Sequence, residues 1–409
     1  KRSDMNVLKK RWGYLFMAII LLLFMGIGYA FSIFVVPIEK DLGLTRADTS
    51  FVFTLCFVCF AMGSLVTGFL MHKISSALLL KIAACMFCGG FILSSRVTML
   101  WQLYFTYSIC VGFSIGIAYN ITVSILPMYF HDKVGIATGM LLMGFAMSTT
   151  LLGPICEAGM SLWGWKTMFF VLGICGAVVL AAASVIIHHP TEEQRKNLTQ
   201  KEHLVNQGKE LSPSGILKTK LYYVFLLIYI TIGGVGMALI NHGAMTLQED
   251  LSVSASAAVF LIGIVCLFNG IGRVVWGLIY DRIGDSSCLR CLGILLVGSM
   301  LMILLSLVIV SPMMFGVGMG VALLCYGGSS SLAPILVRAL FGEQYFSMNF
   351  AVTNIGTIIL SCVPALIGAL QMNFGNYQVP YMVLLGLAVI ALVMTIIYKP
   401  LQLRFSLIK

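Results

Sequence analysis

The chain has 409 residues, 60% of them hydrophobic and 10% charged, with a mean hydropathy of +1.01. A soluble domain carries about 25% charged residues, so this composition cannot cover a water-facing surface and excludes a soluble enzyme or binding module. The net charge of +10 invites a nucleic-acid reading, which the positions of the charges then remove.

Crossing a hydrocarbon layer roughly 30 Å thick takes about 20 apolar residues in a helix. In chain order, segments of that length run through residues 14–37, 50–71, 77–95, 99–128, 136–160 and 167–187. After a polar stretch they resume at 221–247, 255–280, 288–310, 313–337, 347–371 and 377–398. Only helices and closed barrels satisfy their backbone groups in lipid. A barrel would show short alternating segments, and these runs are continuous. The sequence predicts an all-α polytopic membrane protein with twelve transmembrane helices.

With both termini cytoplasmic, Lys40, Arg46, Arg96 and Lys166 fall outside and Arg273 falls within a membrane segment. The remaining 20 of the 25 Lys and Arg residues then lie inside, as the positive-inside rule requires. The basic excess therefore reports the topology of a multi-pass protein in the cell membrane, with the lipid bilayer as partner and no nucleic acid. The first segment is too long for a signal h-region, and the basic residues before it mark an anchor that stays. The chain opens on Lys1, not methionine, so some N-terminal sequence is expected to be missing.

Three Cys-x-x-Cys spacings occur, Cys56/Cys59, Cys85/Cys88 and Cys288/Cys291. A redox or zinc site needs a polar, accessible setting. The first two pairs sit inside apolar helices, where cysteine behaves as a small hydrophobe. No metal and no cofactor are expected, and no Walker-type phosphate loop is present.

The longest polar stretch, "HHPTEEQRKNLTQKEHLVNQGKELSPSGILKTK" from His188 to Lys220, parts six segments from six. The expected division is an N-terminal six-helix bundle over 1–188, a cytoplasmic central loop over 189–218 and a C-terminal six-helix bundle over 219–409. Thr191 and Gln194 have capping-box spacing, and the Asn197 sequon reads as chance in a cytosolic loop. The halves repeat weakly: Asp41 matches Asp250, Gly63 matches Gly272, Gly68 matches Gly277, Tyr119 matches Tyr326 and Pro127 matches Pro334. Such internal symmetry implies a secondary transporter that binds substrate near the membrane midplane. "GLIYDRIG", carrying Gly277, Asp281, Arg282 and Gly284, resembles the Gly-x-x-x-Asp-Arg-x-Gly motif of the major facilitator superfamily. That resemblance implies the major facilitator fold and a role in bracing the cytoplasmic gate. Its first-half counterpart, "GFLMHKIS", departs from the pattern at His72 and Ser75.

Arg273 is the residue that composition makes expensive. A charge at mid-membrane costs from about 3 to over 10 kcal/mol. Asp281, eight residues on, is about 12 Å away along a helix, so partial snorkelling is one reading. The helical faces favour another. Gly263, Cys266, Gly270, Arg273 and Gly277 form a small-residue stripe, while Leu267, Ile271, Val274 and Leu278 form an apolar one. Small residues mark the packed side, so Arg273 is expected to face protein or a cavity. No Asp or Glu occupies the central span of any segment, and Glu157 lies near the outer end of the fifth. A guanidinium fork suits a carboxylate, and the substrate is the anion expected there. Elsewhere at mid-membrane, Tyr29, Tyr119, Asn120, Tyr326, Ser330, Asn354 and Thr357 are polar residues that suit a small carboxylate cage.

"YAFSIFVVPIEKDLGL", "GIAYNITVSILPMYFHDKVGIATGM", "LFNGIGRVVWGLIYDRIG" and "CYGGSSSLAPILVRALFG" resemble segments of the oxalate/formate antiporter family, a bacterial branch related to the monocarboxylate transporters. The resemblance runs from about residue 10 to 398. It implies that Arg273 is the substrate arginine and that Tyr29, Tyr119, Phe145 and Tyr326 are the surrounding aromatic residues. A lysine of the oxalate-exchanging member falls on Thr357, an aromatic residue on Asn354 and a second tyrosine on Ser330. One fixed cation neutralises one carboxylate, whereas a dianion would leave a desolvated charge. A monoanion is therefore expected. The similar animal monocarboxylate transporters place a proton-linked aspartate where this chain has Asn269, which cannot titrate. Histidine is the side chain type that titrates near neutrality, so His242 is the candidate for proton coupling or gating, or else a packing histidine bonded to Asn241 or backbone.

The resulting expectation is a transporter of a small organic monocarboxylate (lactate, pyruvate or formate type), working by alternating access as exchanger or uniporter, and a monomer by the habit of the fold. Proton symport, oxalate-type exchange and a transporter-like sensor stay open; an enzyme is not expected. Two finer expectations are that "GGVG", Gly233 to Gly236, bends for gating, and that Trp12, Trp101, Trp163, Trp165 and Trp276 form interfacial belts.

Overall fold

A computed structural model describes residues 2–28, 31–130, 132–190 and 210–407, and every regular element among them is helical. The first half contains α1 (Arg2–Met25), α2 (Phe31–Leu42), α3 (Arg46–Leu70) and α4 (Ser76–Ser94). It continues with a π-helical stretch, Tyr104–Val111, leading into α5 (Gly112–Ile125), then α6 (Val134–Ala146) and α7 (Ser148–Ile186). The second half contains α8 (Lys220–Glu249), α9 (Ala255–Ile283), α10 (Asp285–Val308) and α11 (Pro312–Phe341). It closes with α12 (Phe346–Asn354), α13 (Val363–Phe374) and α14 (Gln378–Leu407). Thr191, Gln194 and Asn197 lie outside the described residues, as does Tyr29.

Local sequence explains the boundaries. Thr45 and Asp48 form a reciprocal capping box at the start of α3: Asp48 N–H donates to Thr45 Oγ1 at 3.3 Å, and Thr45 N–H to Asp48 Oδ2 at 2.9 Å. Pro312 opens α11 where a missing N–H costs nothing. Among the described residues, 11 stretches are long and apolar enough to cross a membrane, and one of them, Val134–Ile186, is 53 residues long. At 1.5 Å per residue that stretch would reach about 80 Å, more than two bilayer cores. Gly164, with φ 76° and ψ 162°, breaks it. This is a conformation that a side chain disfavours, and it divides the fifth span from the sixth. Twelve spans result.

The chain forms two compact units. The first contains residues through Asn206 together with Phe346–Asn354, which is α12; the second contains Gln207–Tyr345 and Ile355–Lys409. In the first unit, Gly63 of α3 lies against the Phe113 carbonyl, and Gly112 and Gly116 of α5 lie against the Cys56 and Phe60 carbonyls. In the second, Gly272 of α9 lies against the Leu324 carbonyl, and Gly327 of α11 against the Asn269 carbonyl. A Cβ at any of these positions would overlap the facing backbone. The matched glycines are thus small-residue helix contacts made in the same way in each unit.

Polar ties hold the ends of the helices. Arg11 donates to both Asp132 carboxylate oxygens at 2.6 and 2.9 Å and stacks over the Phe130 ring at 4.9 Å. Lys166 reaches Asp41 at 2.7 Å, and its hydrogen bond holds that carboxyl below the usual range. Glu210 accepts from the N–H groups of Glu343 (3.2 Å) and Gln344 (2.8 Å), fastening the end of the central loop to the α11–α12 connection.

One expectation is corrected. Trp165 and Trp276 are buried, Trp276 to 1% exposure, whereas Trp12, Trp101 and Trp163 are exposed. Trp276 sits on α9 two turns before its end, against Gly328 of α11, so it is a core residue and not part of a belt. The "GGVG" run lies in an unbroken α8. Gly233, Gly234 and Gly236 make room there for Leu360, Val363 and the Tyr326 ring.

Candidate functional site

In the second unit, α9 carries Arg273 on its packed face. The side chain is 5% exposed, Gly270 and Gly277 beside it are buried, and Ile271 and Leu278 on the opposite stripe are exposed. From Gly270 to Gly277 the packed face is the one expected from the stripe pattern, whereas Gly263, nearly three turns before Arg273, is exposed. Gly327 lets α11 approach the backbone at Asn269 and Arg273. Arg273 lies within electrostatic range of the Tyr229 phenol on α8. The Tyr229 hydroxyl is hydrogen-bonded to Thr357 Oγ1 at 3.1 Å. Sequence reasoning singled out Arg273 and Thr357 but missed Tyr229. A lone tyrosine in an apolar helix reads as packing until its partner, 128 residues away, is known.

Asn269 and Trp276 flank Arg273 at helical spacings of four and three. Asn269 Oδ1 and Trp276 Nε1 are buried with no hydrogen-bond partner among the described residues. Buried polar atoms are rarely left this way, and here they border a buried cation. Tyr326 packs its ring on Gly236, and Ser330 donates to the Tyr326 carbonyl at 3.1 Å. His242 Nε2 lies 2.9 Å from the Pro364 carbonyl and Nδ1 lies 3.4 Å from the Tyr377 hydroxyl. Its backbone partner is thus Pro364, while Asn241 bonds to Met237. In the motif Gly277-Asp281-Arg282-Gly284, Gly277 is buried, Asp281 and Arg282 are exposed, and Gly284 ends α9 at φ 73°.

In the first unit, Tyr119 on α5 is ringed by Phe60, Phe145 and Phe350, with centroids at 5.3, 5.2 and 6.1 Å. Phe60 and Phe145 also border a small apolar cavity with Met25, Gly28, Cys56 and Ile115. Next to Tyr119 in the chain, Asn120 belongs to a buried polar network. Asn120 Nδ2 donates to Ser64 Oγ (3.0 Å) and to the Ser347 carbonyl (3.3 Å), and Asn120 Oδ1 accepts from Ser347 Oγ (2.5 Å) and Ser124 Oγ (3.3 Å). Asn354, the last residue of α12, reaches Ser64 Oγ at 3.5 Å. This network fastens α12 to α3 and α5. Asn120→Leu would strand several of these hydroxyls, each at about 1–3 kcal/mol. We expect the variant to melt at clearly lower temperature in detergent; an unchanged melting temperature would show the network to be dispensable.

The sequence matches the profile of the Major Facilitator Superfamily over residues 16–361. The oxalate:formate antiporter of Oxalobacter formigenes is 23% identical over 347 residues, covering 84% of this chain and 81% of that protein. Monocarboxylate transporter 12 of Homo sapiens is 24% identical over 414 residues, covering 91% of this chain and 73% of that one. The solved structure of a proton:xylose symporter superposes with a TM-score of 0.73 at 14% identity, covering 94% of this chain and 95% of that chain. Twelve apolar spans, a glycine-notched repeat and a profile matched over most of the chain make this protein a member of the Major Facilitator Superfamily, a multi-pass membrane transporter.

Proposed function

We propose that this transporter moves a small organic monocarboxylate, of the lactate, pyruvate or formate type, by alternating access as an exchanger or uniporter. The observation that carries the reading is Arg273, a fixed cation 5% exposed in the middle of an apolar helix. Its planar donor fork suits a carboxylate, and its burial removes the water that would otherwise compete. Tyr326, Ser330 and Thr357 share its unit and are proposed to shape the site. Tyr119, Phe145, Asn354 and Tyr29 are proposed as further substrate contacts on the strength of the sequence. The names of the relatives support the substrate class.

The charge count supports a monoanion. Thr357 stands where the resemblance implies a lysine, and its hydroxyl is engaged with Tyr229. A second carboxylate would enter with one cation to serve two charges. Exchange or uniport fits Asn269, which cannot titrate, at the position where the resemblance implies an aspartate. The protein is proposed to act as a monomer in the cell membrane with both termini cytoplasmic.

Uptake of labelled lactate, formate and oxalate into proteoliposomes preloaded with the same anion tests this. Lactate or formate should exchange and oxalate should not, and a pH gradient should add little. Thr357→Lys should raise oxalate relative to lactate by about tenfold or more, as a charge pair gained in a desolvated site would. Preferred oxalate exchange by the unaltered protein would overturn the reading.

A further inference from the structure

Tyr229 is the only tyrosine in "VFLLIYITIGG", residues 224–234, and its hydroxyl has a partner on another helical segment. Gly356 makes the approach possible: a Cβ there would meet Leu226 at 2.9 Å and lie 3.5 Å from the Tyr229 ring. The absent side chain lets α8 close on the segment that carries Thr357, and the two hydroxyls meet at 3.1 Å. Arg273 lies within electrostatic range of the same phenol. All three residues belong to the second unit.

Hydrogen-bond inventory limits what this pair can do. Each hydroxyl has one donor and acceptor lone pairs, and the bond between them uses one donor. One O–H and further lone pairs remain, so the pair can donate to a ketone oxygen, or both donate to and accept from a hydroxyl. It has no net charge, so it cannot balance a second carboxylate. Within electrostatic range of a guanidinium, it complements a molecule with one carboxylate and one neutral oxygen close to it.

We propose that the Tyr229–Thr357 pair is the specificity element of the Arg273 site, reading an oxygen on the carbon next to the carboxylate, so that 2-hydroxy and 2-oxo monocarboxylates are preferred over plain alkanoates and formate. This rests on the reading of Arg273 as the carboxylate anchor. Tyr229 then separates acids of equal charge and chain length, which Arg273 alone cannot do.

Lactate and propionate differ by that one oxygen and are the probes. Half-saturation concentrations for exchange are measured for each acid in the unaltered protein, Tyr229→Phe and Thr357→Ser. The unaltered protein is expected to favour lactate about tenfold, the effect of one neutral hydrogen bond. Tyr229→Phe keeps the ring and its packing but should lose most of that ratio, while Thr357→Ser, which keeps the hydroxyl, should retain it. Arg273→Gln is run alongside and should silence both acids. Exchange persisting in Arg273→Gln overturns the anchor reading. If Arg273→Gln is silent and the ratio is unmoved in Tyr229→Phe, or absent in the unaltered protein, only the hydroxyl-pair inference falls.

Discussion

Arg273→Gln is expected to lower monocarboxylate exchange by two to three orders of magnitude while leaving the protein folded. Removing one partner of a buried charge pair costs about 2–5 kcal/mol, and each 1.4 kcal/mol is tenfold. Here the lost pair is the one formed with substrate. Arg273→Lys keeps the charge and loses the planar fork, so it should fall between the two. Glutamine keeps a polar donor at the same position on α9, so the melting temperature should hold as transport disappears. Tight exchange by Arg273→Gln, or a collapse in its melting temperature, would make the arginine a structural residue.

The second large effect is a contrast between two glycines. Gly327→Ala places a Cβ on the Asn269 carbonyl, a backbone group that cannot swing aside. Overpacking typically costs about 1–3 kcal/mol, and a backbone clash between α9 and α11 should reach the upper end or exceed it. Gly298→Ala on α10 makes the same chemical change where nothing lies within 4 Å. There the gain in helix propensity, about 0.5–1 kcal/mol, should show instead. Thermal melting in detergent checks both, with opposite signs expected. Equal responses would mean that the α9–α11 contact is looser than the structure describes.

Much of the fold was legible because lipid is a simple solvent. A run of apolar residues long enough to cross is a helix, and charge asymmetry suggests its direction, so twelve spans could be read from the sequence. The details that escaped are tertiary. Nothing local to Gly233–Gly236 reveals that Tyr326, Leu360 and Val363 fill the notches it leaves. Trp276 looks terminal when the apolar run is counted, but α9 continues to Ile283 and buries it. Arg273 was legible because a charge in an apolar run has few explanations. Tyr229 was not, because its meaning lies in a distant threonine and not in its neighbours.

The paired glycine contacts also bear on how the two halves came to differ. If they arose by duplication of one ancestral half, what Gly63 and Gly272 preserve is a backbone contact, and a carbonyl oxygen is supplied by any residue type. The facing carbonyls belong to Phe113 in one unit and Leu324 in the other. Such a contact pins one residue in each copy and frees its partner to drift. The architecture of the original could then persist in both halves long after their sequences had become nearly strangers.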